Sequence, residues 1–169
     1  MLFRSAVRAA SLTGADILSI HGLGSSAMIA AARKGAEEAA EQRGGDRTRL
    51  VAISVLTSMD QAALTEIGVE SPVAEEVARL ARLAYGSGAD GIVCSPQEAA
   101  EMRELLGPDA LIVTPGVRPA GAEVGDQKRI ATPAAAIAAG ASKLVIGRPI
   151  TGAEDPVAAF DAICAELMA

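Results

Sequence analysis

Short unbroken runs of aliphatic residues alternate along this chain with longer stretches in which alanine and leucine recur at helical spacing. The apolar runs fall at 16–21, 50–55, 91–94, 111–113 and 143–146. They are rich in Ile, Val and Leu and lack the apolar–polar alternation of a strand with one wet face, so they read as parallel strands covered on both sides. Helices are predicted over 4–12, 25–42, 71–87, 96–106, 132–139 and 155–167. Ser71-Pro72, Ser95-Pro96, Thr132-Pro133 and Asp155-Pro156 each set a capping oxygen ahead of a proline, whose missing N–H costs nothing in the first turn. Ser95 and Glu98 have the spacing of a capping box. Gly14, Gly88, Gly107 and Gly140 follow helical segments, where a left-handed residue is wanted.

Strand followed by helix, without hairpins, predicts an α/β fold with a parallel sheet. Two closures are open to it, a doubly wound sheet and a (β/α)8 barrel. The segment His21-Gly22-Leu23-Gly24-Ser25-Ser26-Ala27 lacks the last glycine of the dinucleotide fingerprint G-x-G-x-x-G, which disfavours the dinucleotide-binding version. A barrel needs roughly 200 residues or more, and only about five strands are legible here. The stretch 114–131, with its glycines, prolines and charges, is the longest without a predicted element, and loops of that length are usually functional.

Composition narrows the picture. With 169 residues, half of them hydrophobic, the chain builds one core, and 1–169 is read as a single domain. Aromatics make up 2% with no Trp, so that core is aliphatic. A net charge of −6 without a basic stripe argues against nucleic-acid binding. Two distant cysteines, Cys94 and Cys164, and a single histidine, His21, give neither a disulfide framework nor a zinc set. No metal site is expected. Without a long apolar run, neither a membrane span nor a secretory leader is expected, and the location expected is cytoplasmic.

In both α/β closures chemistry sits where strands end. Those ends carry His21, Thr57-Ser58, Ser95, the segment from Pro115 to Arg118, and Gly147-Arg148. A glycine lets backbone N–H groups approach an anion, and an arginine offers a planar fork to phosphate oxygens. Gly147-Arg148, with Arg118, Gln127, Lys128 and Arg129 from the preceding loop, therefore reads as a phosphate-type anion site; the plain alternative is a glycine turn with solvated arginines. Thr57 and Ser58 are read either as substrate contacts or as a cap for a short helix after Asp60. His21 reads as a hydrogen-bonded strand-end histidine and Cys94 as a buried small hydrophobe. None of the three lysines, Lys34, Lys128 and Lys143, lies at the C-terminal end of a predicted strand, Lys143 standing at the entry of its own, and no such end carries paired carboxylates. The reading is of a site that grips without visible reacting groups.

In order and spacing, Thr57-Ser58, the segment from Gly91 to Ala99, Thr114-Pro115-Gly116-Val117-Arg118-Pro119, Gly125-Asp126-Gln127-Lys128-Arg129 and Val145-Ile146-Gly147-Arg148-Pro149-Ile150 resemble successive motifs of bacterial orotidine 5′-phosphate decarboxylases. The resemblance runs from about Ser5 to the C-terminus. It implies a (β/α)8 barrel of pyrimidine biosynthesis, cofactor-free and homodimeric, that converts orotidine monophosphate (OMP) to UMP. Arg118, Gln127, Gly147 and Arg148 match that family's phosphate grip, with Gln127 in the loop that closes over the nucleotide. Thr57 and Ser58 match the segment touching substrate and pyrimidine edge. His21 matches a strand-end histidine with no catalytic role assigned.

One departure stands out. The family's Asp/Lys array, with its D-x-K-x-x-D motif at the third strand, has no counterpart here. The chain is therefore expected to correspond to strands four to eight of the barrel, to hold no catalytic residue of its own and to be inactive alone. The alternatives are another phosphate-binding barrel enzyme, similar to hexulose-phosphate synthase, and a non-catalytic nucleotide-binding or assembly module.

Overall fold

A computed structural model describes residues 2–119 and 129–168. Among the described residues, strands β1 (Ile17–His21), β2 (Arg49–Ile53), β3 (Gly91–Val93), β4 (Leu111–Thr114) and β5 (Lys143–Leu144) form one five-stranded sheet in sequential order. Every neighbouring pair is parallel. Around them run α1 (Leu2–Ser11), α2 (Ser25–Arg43), α3 (Gln61–Glu66), α4 (Val73–Gly86), α5 (Ala99–Leu106), α6 (Pro133–Ala138), α7 (Arg148–Thr151) and α8 (Pro156–Met168). The sequential order decides between the two closures. A doubly wound sheet reverses its strand order to place helices on both faces, whereas a barrel wall never reverses.

The two faces of the sheet confirm this. Leu18, Ile20, Leu50, Ala52, Ile92 and Ile112 pack with Ile29, Ala32 and Ala36 of α2, Ala78, Ala81 and Ala84 of α4, and Met102 of α5 in one cluster. The alternate positions Ile17, Val51, Val93, Leu111 and Val113 form a second cluster made of strand residues alone. Both sides of the strands are thus apolar, as expected, and in the manner of a barrel wall: helices cover one side, and the other is the lining. Beyond that lining cluster, Ser19 and His21 of β1 are exposed.

Alanine sets the spacing of the outer layer. Ala32, Ala36, Ala39, Ala81 and Ala84 are all fully buried, so helices approach the sheet closely without aromatic filling. Gly35 lets α1 and α2 cross closely, because a Cβ there would lie 2.3 Å from the Arg4 carbonyl oxygen of α1.

Several helix ends follow the expected capping chemistry. The Thr132 hydroxyl accepts from Ala135 N–H at 3.3 Å, and Asp155 accepts from Val157 and Ala158, each at 3.0 Å. Gly14, Gly88, Gly107 and Gly140 all take positive φ. Ser71 departs from expectation, since its hydroxyl binds the Glu76 carboxylate and Pro72 takes the N-cap position of α4. The last strand stops at Leu144, short of the predicted 146. The short α7 and the 3-10 turn Gly22–Gly24 were not anticipated.

The end of the sheet where strands begin is held by two polar hubs. Asp90 takes the Arg47 guanidinium on both carboxylate oxygens and the Leu50 N–H at 2.7 Å. Arg103 reaches the carbonyls of Gly107, Pro108, Ala110 and Gly140 and the Ser142 hydroxyl. In barrels of this kind that end serves stability, which leaves the opposite end for function.

Candidate functional site

Because all neighbouring strands are parallel, their exits share one rim. Thr57 and Ser58 follow β2 and precede α3, with Thr57 buried and Ser58 half-buried. Asp60 caps α3 by accepting from Ala63 N–H at 3.0 Å. Of the two readings of Thr57 and Ser58, the capping one is therefore set aside. The Ser54 hydroxyl donates to the Val93 carbonyl at 2.7 Å, which ties the β2 exit to β3.

After β3, Ser95 and Glu98 interact as the box spacing predicts, with Ser95 N–H donating to Glu98 Oε2 at 2.8 Å and Gln97 N–H to Ser95 Oγ at 3.2 Å. They close a turn ahead of α5, however, which starts at Ala99 rather than at 96 and has Glu98 at its N-cap. Cys94 is buried as expected. Burial, with the Glu98 carboxylate nearby, pushes its thiol up to about 12, so it is an inert hydrophobe and no nucleophile.

After β4 the chain turns through Pro115 and Gly116, whose φ of +77° suits glycine. Val117 then bridges Ala131, and Arg118 N–H donates to the Ala131 carbonyl at 2.9 Å. Arg118 is buried, and its guanidinium donates to the Val117 carbonyl at 2.9 Å. Val117 packs with Ala136, Ala141, Leu144 and Ile146. Since Ile146 immediately precedes Gly147-Arg148, this cluster sets the Arg118 loop beside the loop after β5. A Cβ on Gly147 would meet no atom within 4 Å, and both Gly147 and Arg148 are exposed. Packing therefore makes no demand for glycine at 147, and the space above its backbone is open. Gln127 and Lys128 lie outside the described residues.

One expectation at this rim is overturned. Arg129, read as an anion donor, is already engaged: it pairs with Glu98 and donates to the carbonyls of Val55 at 3.3 Å and Leu56 at 3.0 Å. Pattern reading missed this because a charged residue in a glycine-rich loop carries no sign of the partner it folds against.

The remaining rim binds more readily than it reacts. Its polar side chains include the exposed Arg148 guanidinium, the buried Arg118 guanidinium, which already donates to the Val117 carbonyl, and the hydroxyls of Thr57 and Ser58. Among the described residues, the Glu98 carboxylate is committed to Arg129 and that of Asp60 to α3. Of the described lysines, Lys34 lies on α2 and Lys143 opens β5. No cluster of His, Cys, Asp and Glu fit to hold a metal ion occurs among the described residues.

A sequential parallel sheet with helices on one face and an arginine-bearing rim at the strand exits defines a wall of a (β/α)8 barrel. A sequence model of the Orotidine 5′-phosphate decarboxylase / HUMPS family matches residues 2–163, and the chain belongs to that family. It is similar to orotidine 5′-phosphate decarboxylase of Halorhodospira halophila, 56% identical over 164 residues, covering 97% of this chain and 67% of the relative. The enzyme of the same name from Anaeromyxobacter is 51% identical over 162 residues, covering 96% of this chain and 68% of the relative. The crystal structure of orotidine 5′-phosphate decarboxylase from Lactobacillus acidophilus superposes with a TM-score of 0.84 at 39% identity, covering 99% of this chain and 70% of that one. The chain thus spans about two thirds of the length of the curated relatives it matches.

Proposed function

We propose that this chain is the phosphate- and pyrimidine-holding part of an orotidine 5′-phosphate decarboxylase and binds OMP and UMP through Arg118, Arg148, Gly147, Thr57 and Ser58, with Gln127 as a further contact. The carrying observation is the Val117–Ile146 packing, which sets the loops of Arg118 and Arg148 side by side at one rim. Two guanidinium forks there suit a phosphate dianion, and the open space over Gly147 admits its oxygens to the backbone. Thr57 and Ser58 stand two exits away, where a pyrimidine edge would lie. The similarity to enzymes named for orotidine 5′-phosphate favours a nucleotide over a sugar phosphate.

Loss of CO2 from OMP leaves a carbanion-like centre at C6, which needs a fixed ammonium to stabilise and protonate it. No described lysine at a strand exit supplies one. What the described residues do is grip: they hold the phosphate, fix the ribose distance and orient the ring, so that remote binding energy serves the reacting centre. Alone, the chain binds nucleotide without turning it over. It works in the cytoplasm as part of a homodimer, without cofactor.

The test is a calorimetric titration of the chain with UMP and, separately, with a ketose phosphate. UMP binding that Arg148→Ala weakens by roughly 10- to 100-fold, the loss of one charge-assisted contact, supports the reading. Tighter binding of the sugar phosphate overturns it in favour of a hexulose-phosphate synthase-like site.

A further inference from the structure

Arg129 lies among three loops rather than over an anion. Its side chain is 12% exposed and that of Glu98 9%. Nη1 meets Glu98, whose second oxygen holds Ser95 N–H after β3. Nη2 meets the carbonyls of Val55 and Leu56 after β2. Nε is buried without a hydrogen-bond partner among the described residues. Two residues further on, Ala131 receives Arg118 N–H and bridges Val117 after β4.

One buried ion pair therefore joins the exits of β2, β3 and β4. On one side it ends a residue short of Thr57; on the other it sits two residues from the partner of Arg118. A buried pair of this kind contributes little net stability compared with an apolar replacement, and its attested use is to fix register. We infer that Arg129 and Glu98 are positioning residues that set the spacing between Thr57-Ser58 and Arg118, and so make the rim selective for a whole nucleotide over a phosphorylated sugar without a base. The inference rests on the proposed function, whose site it deepens. A lysine cannot replace Arg129, because a single ammonium does not span a carboxylate and two carbonyls as a planar fork does.

The experiment titrates UMP and ribose 5-phosphate into the wild-type chain and into Arg129→Lys, Arg129→Met and Glu98→Gln. Hydrogen exchange is read at the amides of residues 56–59 in each. The expected result is a loss of tenfold or more in UMP affinity for Arg129→Lys, with ribose 5-phosphate affinity held within twofold and faster exchange at 56–59. Glu98→Gln is expected to lose less, because the carbonyl contacts of Arg129 survive. Equal losses for both ligands, or unchanged UMP affinity, overturn the inference. Arg129→Lys and Glu98→Gln keep hydrogen-bonding groups in place and decide the matter should Arg129→Met fail to fold. A wild-type chain that binds no UMP overturns the functional reading itself, and the inference with it, before any variant is compared.

Discussion

At Asp90, burial opposes ionisation, but the Arg47 fork, the Leu50 N–H and the more distant Arg33 together outweigh it and hold the carboxyl below its usual range. Glu76 is lowered as well, chiefly by its hydrogen bond from Arg79, against an opposing effect of burial and with help from Ser71. A carboxylate whose folded pKa lies below its unfolded one adds stability that is fully present above the unfolded value, about 4. That stability is lost as pH falls through the folded pKa. Acid unfolding is therefore expected to set in below about pH 4. Asp90→Asn is expected to cost about 2 kcal/mol at pH 7, the scale of a hydrogen bond to a charged group. Urea melts at pH 7 and pH 3 check this, and the variant's deficit should shrink at the lower pH. Thiol chemistry gives a second expectation. Cys94 is buried and Cys164 half-buried, both as free thiols. Iodoacetamide at mildly alkaline pH should label Cys164 and spare Cys94, as peptide mass spectrometry would read; labelling of native Cys94 would contradict its burial.

Among the elements, α1 and α2 depend on a small contact. The Arg4–Glu38 pair and the Arg8–Gln42 hydrogen bond flank the Gly35 crossing. Gly35→Val would push a side chain into the Arg4 backbone, and overpacking of this sort typically costs about 1–3 kcal/mol. Thermal melting of the variant should fall accordingly, with exchange rising first in α1. Strands and long helices were legible beforehand because period and proline-led caps are local signals. The single helical face of the sheet was not legible in the hydrophobic pattern and entered only with the barrel that the family resemblance implied. Ile17, Val51, Val93, Leu111 and Val113 are as apolar as their outer neighbours, and a barrel lining and a helix-covered face read alike. The fate of Arg129 was equally hidden, since its partners Glu98, Val55 and Leu56 lie 31, 74 and 73 residues away. Arg118, Gly147 and Arg148 could be read from the sequence as residues of neighbouring strand exits, because the order of strands sets the order of their exits. That Val117 and Ile146 hold their loops together became visible only in the packing.

On the scale of the whole molecule, the described sheet ends at β1 on one side and β5 on the other, with both edges open to further strands. Near β5, Val145, Val157 and Phe160 are each more than half exposed. Open edges beside apolar surface favour association. The chain is expected to self-associate in a concentration-dependent way, which sedimentation velocity would show; one monomeric species at every concentration would contradict that. On the proposed function gripping and reacting are separable here: the described rim is to hold a nucleotide, while no described lysine stands at a strand exit to protonate C6. The most direct measurement adds OMP to the purified chain and follows bound ligand and the orotate chromophore in the same sample. Saturable binding, weakened in Arg148→Ala, with an unchanged chromophore is the predicted result. Steady conversion to UMP by the chain alone, or no binding of OMP at any concentration tried, would contradict it.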